Sequence, residues 1–463
     1  MNLPEKFREK MQHLLGSEEF EKLLDAYEYP TSKGIRANTL KATSDEMKAL
    51  IPFEPEPVRW CPTGFYIDNN IRPGKNPAYY AGLYYVQEPT AMTSVEALAP
   101  KPGDWVLDLC AAPGGKTTQI ACKLQGKGLL VANELINSRV DMLARNVERM
   151  GITNAVILNE FPERLTAHFY ERFDRILVDA PCSGEGMFRK DSGELAAWSP
   201  ERVTRCAERQ MKILETVDKL LKPGGIMVYS TCTFSPEENE QIIENFLGNK
   251  RYTLLPIALE GITDDGRPEW TVNHHPDLVK TKRVMPFHVR GEGHFIAKLQ
   301  KERACPSENE AIKLKGKSRL QKALKKDLKD YEDFATAYFK DLRFENLYIG
   351  GDKLYGFPEG LNLSDIEGLK VSRAGIHLGT MKKNRFEPSY TLAMTLKQEH
   401  FKTCYTVKDV DEANTYLKGE PITGVALTGW VLVCFDRYPL GFGKASQGMI
   451  KNHLPKGLRI RKK

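Results

Sequence analysis

Between Gln87 and about Gln300, short apolar runs alternate with longer stretches in which apolar side chains recur every three or four positions. The runs, bounded by turn residues, read as buried strands, and the periodic stretches as helices. The strands are Trp105–Cys110, Leu129–Glu134, Ala155–Asn159, Arg175–Ala180 and Ile226–Thr231. Asn137–Met150, Glu201–Leu221 and Glu237–Phe246 are intervening helices. Strict alternation of this kind predicts an α/β domain with a mostly parallel, doubly wound sheet. Phe287–Arg290 and His294–Leu299, flanking Gly291-Glu292-Gly293, read as a closing hairpin.

The flanks have different textures. Residues 1 to about 28 are amphipathic at helical spacing (Phe7, Met11, Leu14, Leu15, Phe20, Leu23, Leu24). A strand at Gly34–Leu40, a helix at Asp45–Leu50 and a strand at Gly64–Ile67 follow, predicting an α+β module over 1–85. After the α/β region of 86–300, residues 301–330 form a basic linker in which Leu320, Leu324 and Leu328 stand at i, i+4 spacing, a helical signal. From 331 to 463 short strands separated by glycine turns (Leu347–Ile349, Leu354–Phe357, Gly375–Gly379, Gly429–Phe435) predict a β-rich domain.

At 463 residues the chain has room for these modules, and its formal net charge is only +6. The charge is clustered, however. Residues 311–330 hold eight basic side chains (Lys313, Lys315, Lys317, Arg319, Lys322, Lys325, Lys326, Lys329) against two acidic ones, and the last thirteen residues hold six basic and no acidic ones. Each cluster alone reads equally as a solvated surface, but two of them point to a polyanion partner. The nine cysteines contain no Cys-x-x-Cys pair, which argues against a zinc ribbon or disulfide framework, so no metal is expected. No apolar run is long enough to span a membrane and no leader opens the chain, so a cytoplasmic monomer away from membranes is expected.

In an open α/β sheet, ligands bind just beyond the carboxyl ends of the strands. Cys110-Ala111-Ala112-Pro113-Gly114-Gly115-Lys116 follows the first strand, Asp179-Ala180-Pro181-Cys182-Ser183-Gly184 the fourth, and Ser230-Thr231-Cys232-Thr233 the fifth. The glycine loop lets the backbone approach a ligand at a helix N-terminus. It is not a P-loop, because Cys110 stands where the first glycine belongs, and the G-x-G-x-x-G dinucleotide pattern is absent. A nucleoside with no phosphate to cradle fits better. Glu134, ending the second strand, is placed for the ribose hydroxyls, and Asn159, ending the third, for an adenine edge. S-adenosylmethionine meets that description.

A lone strand-end cysteine is most often a small buried hydrophobe. Two of them beside an acid have a chemical use at carbon 5 of cytosine, which is a poor nucleophile. A thiolate adding to C6 makes C5 an enamine carbon, an acid at N3 and the exocyclic amine favours that addition, and a second thiol has a use when the adduct must collapse.

These three motifs resemble the signature of the Nop/Sun family of RNA cytosine-5 methyltransferases, in the family's order, over roughly residues 30–300. The resemblance implies a Rossmann-like S-adenosylmethionine-dependent domain. It further implies Cys232 as nucleophile, Cys182 as the release cysteine, Asp179 as the acid at the base edge, and Cys110–Lys116 with Glu134 as the cofactor site. Ser138-Arg139 also fits the pattern, with Arg139 bracing the site, whereas Asn159 stands where the family commonly has aspartate. Gly351–Tyr355, Leu369–Gly375 and Asn452–Gly457 resemble the branch acting on bacterial 16S ribosomal RNA, which implies a PUA-like RNA-binding domain and a small-subunit target. Three alternatives remain open on sequence: a tRNA cytosine-5 enzyme, a DNA enzyme with its nucleophile in the Pro-Cys turn, and a non-catalytic factor that binds rRNA.

Overall fold

The computed structural model describes residues 1–303 and 320–460. Lys313, Lys315, Lys317 and Arg319 of the first basic cluster lie outside the described residues, as do Arg461, Lys462 and Lys463 of the second.

The first helix, Glu5–Glu28, changes course at Gly16, where φ is 72°. Its apolar side chains Phe7, Met11, Phe20 and Leu23 pack with Phe188, Trp198 and Phe234 of the central domain. The module that follows is a four-stranded antiparallel sheet of β1 (Lys33–Ala37), β2 (Glu56–Val58), β3 (Cys61–Ile67) and β4 (Tyr84–Val86), in the order β2-β3-β1-β4.

Five parallel strands carry the central domain: β5 (Trp105–Asp108), β6 (Leu129–Asn133), β7 (Ala155–Leu158), β8 (Phe173–Asp179) and β9 (Leu221–Thr231), in the order β7-β6-β5-β8-β9. Their runs lack polar alternation because helices cover both faces. Gly115–Leu124 and Asn137–Arg149 pack on one face, Pro200–Leu220 and Glu240–Asn249 on the other. The chain builds outward from β5 in one direction, then returns to lay β8 against its other side. The switch point between β5 and β8 is where such sheets bind ligands.

The sheet continues past β9 with antiparallel strands β10 (Tyr252–Leu255), β11 (Lys282–Val284) and β12 (His294–Lys301). The expected hairpin is therefore displaced: β12 pairs with β11, and Phe287–Arg290 lies in the intervening loop. Buried Arg283 holds β11 in place through an ion pair with buried Glu240, while Phe287 packs with the N-terminal helix.

Beyond residue 320 there is more than the single β-rich unit expected. Strands β13 (Gln321–Lys322), β14 (Leu347–Gly350) and β15 (Lys353–Gly356) are followed by β16 (Val371–Ala374), β17 (Ile376–Lys382) and β18 (Arg385–Pro388). All but β16 form one five-stranded sheet. β16 instead runs antiparallel along β7, at the free edge of the central sheet. A second five-stranded sheet comprises β19 (Cys404–Thr406), β20 (Ile422–Thr423), β21 (Gly429–Phe435), β22 (Tyr438–Ser446) and β23 (Met449–Asn452). It shares a core with the N-terminal module, where Ile35, Met47 and Phe65 meet Tyr416, Val431 and Leu440. The spacing of Leu320, Leu324 and Leu328 does not make one helix. Gln321 and Lys322 pair with β14, and the helix Lys329–Tyr338 begins only after them. Among the described residues no helix is long and apolar enough to cross a membrane.

Candidate active site

The loop leaving β5 reaches the helix Gly115–Leu124 through Gly114, whose φ of 110° favours glycine. Asp108, buried at the strand end, accepts a hydrogen bond from Thr117 Oγ1 at 2.7 Å. Burial nonetheless pushes its carboxyl up to about 7. Burial likewise pushes the Cys110 thiol far up, so this cysteine lines the site as an uncharged group.

From behind, the helix start is gripped by Arg36 of β1. This fully buried guanidinium donates to Gln87 Oε1 at 2.9 Å, Gly115 O at 3.2 Å and Thr118 Oγ1 at 2.7 Å. Asn38 and Lys41, further along the same segment, bond the Met150 carbonyl and the Arg149 carbonyl at the end of the helix Asn137–Arg149. One segment of the N-terminal module thus holds the ends of two helices.

Glu134 lies just past β6 with its side chain 5% exposed. Its Oε1 accepts the Ile136 N–H at 2.8 Å, and Arg139 spans the gap from its Oε2 (3.4 Å) to the Ala112 carbonyl (2.6 Å). Asn159 is engaged otherwise than expected. Its Nδ2 donates to the carbonyls of Glu134 (2.8 Å) and Leu135 (2.9 Å), and its Oδ1 accepts the Lys370 ammonium. Both amide protons are thus spent on the backbone, and Asn159 does not line the cavity. It shapes the turn that carries Glu134.

The thiols meet at the other side of β5. β8 and β9 run parallel with Asp179 opposite Ser230, so the turns beyond them open at one level. Those turns are stitched together. Ser183 Oγ and Thr233 Oγ1 are 2.7 Å apart, Gly186 N donates to Cys232 O at 2.9 Å, and the Ser183 N–H donates to buried Glu238 at 3.0 Å. The result is a separation of 3.3 Å between Cys182 Sγ and Cys232 Sγ, with the Cys232 N–H 3.4 Å from Cys182 Sγ.

Asp179 completes the group, accepting from Lys116 Nζ at 2.8 Å and Ser230 Oγ at 3.1 Å. Burial opposes the charge on Lys116, but the Asp179 carboxylate outweighs it and holds the ammonium above its ordinary value; Cys232 acts in the same sense. The hydrogen bond with Cys232, reinforced by burial, drives the Cys182 thiol well upward. The two sulfurs therefore differ. Cys182 keeps its proton, and Cys232 is the cysteine of the pair that borders both cavities, one of them beside Lys116 and Asp179.

Two adjoining cavities share Cys110, Ala112, Asp179, Met187 and Cys232. One, about 740 Å³, runs from the thiols to Glu134, Arg139, Ile136 and Phe161. The other, about 320 Å³, is bounded by Lys116, Asp179, Cys232, Glu88 and His294. Of the residues expected at the site, Asp179 and Cys232 line both, as do Cys110 and Ala112; Glu134, Arg139 and Cys182 line the first, and Ala111, Pro113, Gly115 and Lys116 the second. Gly114 caps the helix behind them. Sequence reasoning missed Ile136 and Phe161, large apolar side chains 49% and 60% exposed at the cavity. Only their position, two residues past a strand-end polar side chain, sets them apart. It also missed Glu88, Glu238 and His294, which lie on a loop, a short 3-10 helix and a strand start outside the three motifs.

The chain is similar to four family models that follow one another along it. The 16S rRNA methyltransferase RsmB/F model matches residues 95–300, and the N-terminal domain of 16S rRNA methyltransferase RsmF matches 3–89. The RsmF rRNA methyltransferase first C-terminal domain matches 333–396, and the methyltransferase RsmF PUA domain 408–460. It is 34% identical over 450 residues to a ribosomal RNA small subunit methyltransferase F of Shewanella oneidensis, covering 93% of this chain and 91% of that protein. With the protein of the same name from Vibrio vulnificus the identity is 33%, over 98% and 97% of the two chains. Among solved structures, a methyltransferase homolog protein from Pyrococcus horikoshii superposes with a TM-score of 0.55 at 31% identity, over 61% of this chain and 91% of that one.

Glu238 supports the thiol turn at a cost that pH exposes. Burial pushes it up to about 7, and its Oε1 makes no hydrogen bond. Between its ordinary value near 4.5 and about 7 the folded chain holds a proton that the unfolded chain has released. Stability therefore falls as pH rises through that window. Glu238→Gln removes this contribution. Chemical denaturation at a series of pH values should show the wild type losing about 2–3 kcal/mol relative to the variant between about pH 5 and about pH 8. Parallel profiles would mean that Glu238 titrates as an ordinary carboxylate.

Proposed function

The chain belongs to the RsmB/F family of 16S rRNA methyltransferases, and from that premise we propose that it methylates carbon 5 of a cytidine in small-subunit rRNA, with S-adenosylmethionine as donor and Cys232 as nucleophile. The observation that carries this reading is the pair of sulfurs 3.3 Å apart with the Lys116–Asp179 ion pair against them. A methyltransferase acting on an already nucleophilic nitrogen or oxygen has no use for two thiols.

The residues fit the donor. Glu134 presents a carboxylate for ribose hydroxyls, Ile136 and Phe161 offer apolar surface for a flat ring, and the cavity they line opens onto Asp179 and both cysteines. When bound there, S-adenosylmethionine supplies an electrophilic methyl group. Cys110–Lys116 forms the wall between this cavity and the second, which we assign to the target base. A base inside a helix cannot reach it, so the cytidine leaves its stack.

With the base in place, the Cys232 thiolate adds to C6. The electrons displaced onto the ring are met by a proton at N3, supplied from Lys116 through the Asp179 carboxylate to which it is bonded. C5 is now an enamine carbon, nucleophilic enough to attack a sulfonium methyl, whose S–CH3 bond would break to leave a neutral thioether. Collapse reverses the first step: the C5 proton passes to water, the C5–C6 double bond re-forms, N3 returns its proton, and the sulfur of Cys232 departs as thiolate. Cys182, which keeps its own proton, donates it as a hydrogen bond to that departing sulfur. The DNA-enzyme arrangement, with the nucleophile in the Pro-Cys turn, would make Cys182 the attacking group; Cys182 borders only the first cavity, whereas Cys232 borders the one assigned to the base.

For the RNA beyond the base, we assign the grip to the PUA-like sheet and the basic clusters, of which Lys322, Lys325 and Lys326 are exposed.

Two predictions follow the two cavities. Glu134→Ala should weaken S-adenosylmethionine binding by about 1–3 kcal/mol in titration calorimetry; unchanged affinity would move the ribose contact elsewhere. Cys232→Ala should bind RNA and form no covalent product, whereas Cys182→Ala should transfer the methyl and stall. The stalled species should survive denaturing gels as a slower band that ribonuclease collapses. An adduct in Cys232→Ala but none in Cys182→Ala would reverse the roles, and full methylation by both variants would end the thiol mechanism.

A further inference from the structure

His294 opens β12 and is 4% exposed, yet its ring lines the same cavity as Lys116, Asp179 and Cys232. Its Nδ1 lies 3.0 Å from Thr90 Oγ1. The other neighbours of that hydroxyl are both acceptors: Glu88 Oε2 at 2.5 Å and the Glu292 carbonyl at 3.0 Å. Glu88 is itself fixed by the N–H groups of Ala91 (2.8 Å) and Glu292 (3.1 Å). A hydroxyl has one proton to give, and here it goes to an oxygen. Nδ1 must therefore be the donor toward Thr90, which leaves Nε2 as a bare acceptor. Burial holds the imidazole neutral, down to about 4, so that acceptor persists at working pH.

We propose that His294 is a specificity-determining residue, whose Nε2 accepts one N–H of the target base's exocyclic amine while Asp179 serves the other side of that edge. An amine at position 4 of a pyrimidine carries two N–H donors and finds two acceptors. A 4-oxo pyrimidine turns lone pairs toward the same acceptors and leaves them unpaired, the arrangement by which sites reject a near-isostere most strongly. The relay Glu88–Thr90–His294 sets the tautomer on which the discrimination depends. The proposal rests on the cytosine reading above.

The test pairs a base lacking the amine with a side chain lacking the acceptor. First-turnover methyl transfer is measured at subsaturating RNA carrying either cytidine or 2-pyrimidinone riboside at the mapped target position. Wild type should favour cytidine by about 10–100-fold after the intrinsic reactivities are divided out. His294→Phe should lose part of that factor on cytidine RNA, the part that Asp179 does not supply, and nothing further on pyrimidinone RNA, while His294→Gln, which keeps an acceptor, should recover some of the loss. If His294→Phe does not fold, Thr90→Val, which keeps the ring but frees its tautomer, should show the same convergence in part. Losses that multiply, the signature of a merely structural histidine, would overturn the proposal. Failure of the cytosine reading looks different: the wild type would then neither methylate nor trap the cytidine RNA.

Discussion

The site depends on one register. Asp179 of β8 stands opposite Ser230 of β9, so two parallel strands end level and the turns beyond them start side by side. Three residues past Asp179 and two past Ser230 lie the cysteines, and that register, with the hydrogen bonds between the turns, brings residues fifty apart in sequence to 3.3 Å. A slip of one residue would also turn every side chain of the strand to the opposite face. The burial of both strands, covered on each side by helices, is what makes such a slip prohibitive.

Within that frame the chemistry comes from unequal environments for like groups. Three thiols lie around the cavities, and their surroundings separate them. Burial keeps Cys110 uncharged, the neighbouring sulfur keeps the proton on Cys182, and Cys232 is the one that faces Lys116. The flanking modules hold the frame from outside it. Arg36 braces the helix that carries Lys116, and Lys370, just ahead of β16, secures Asn159 and through it the turn bearing Glu134. The cofactor wall thus draws on parts of the chain more than two hundred residues apart.

The parallel strands were legible because burial on both faces writes them as unbroken apolar runs, and the three motifs because each sits where such a run ends. What escaped reading depended on distant partners. Asn159 looked free for a ligand because Lys370 lies far along the chain. Val371–Ala374 resembles any short strand, and its place on the edge of β7 is a tertiary choice that periodicity does not record. Leu320, Leu324 and Leu328 carry a helical spacing that pairing with β14 overrides. His294 was read as a hairpin residue, since the acceptor on its ring exists only through Thr90 and Glu88, two hundred residues earlier.

The central claim is that carbon 5 is the atom methylated, and the hydrogen it loses reports this directly. RNA containing the target site, labelled with tritium at C5 of cytidine, is incubated with the chain and S-adenosylmethionine, and label released to water is counted against methyl groups transferred. The account predicts one tritium released for each methyl gained at the target by the wild type. Methyl transfer by the wild type with the tritium retained would contradict it.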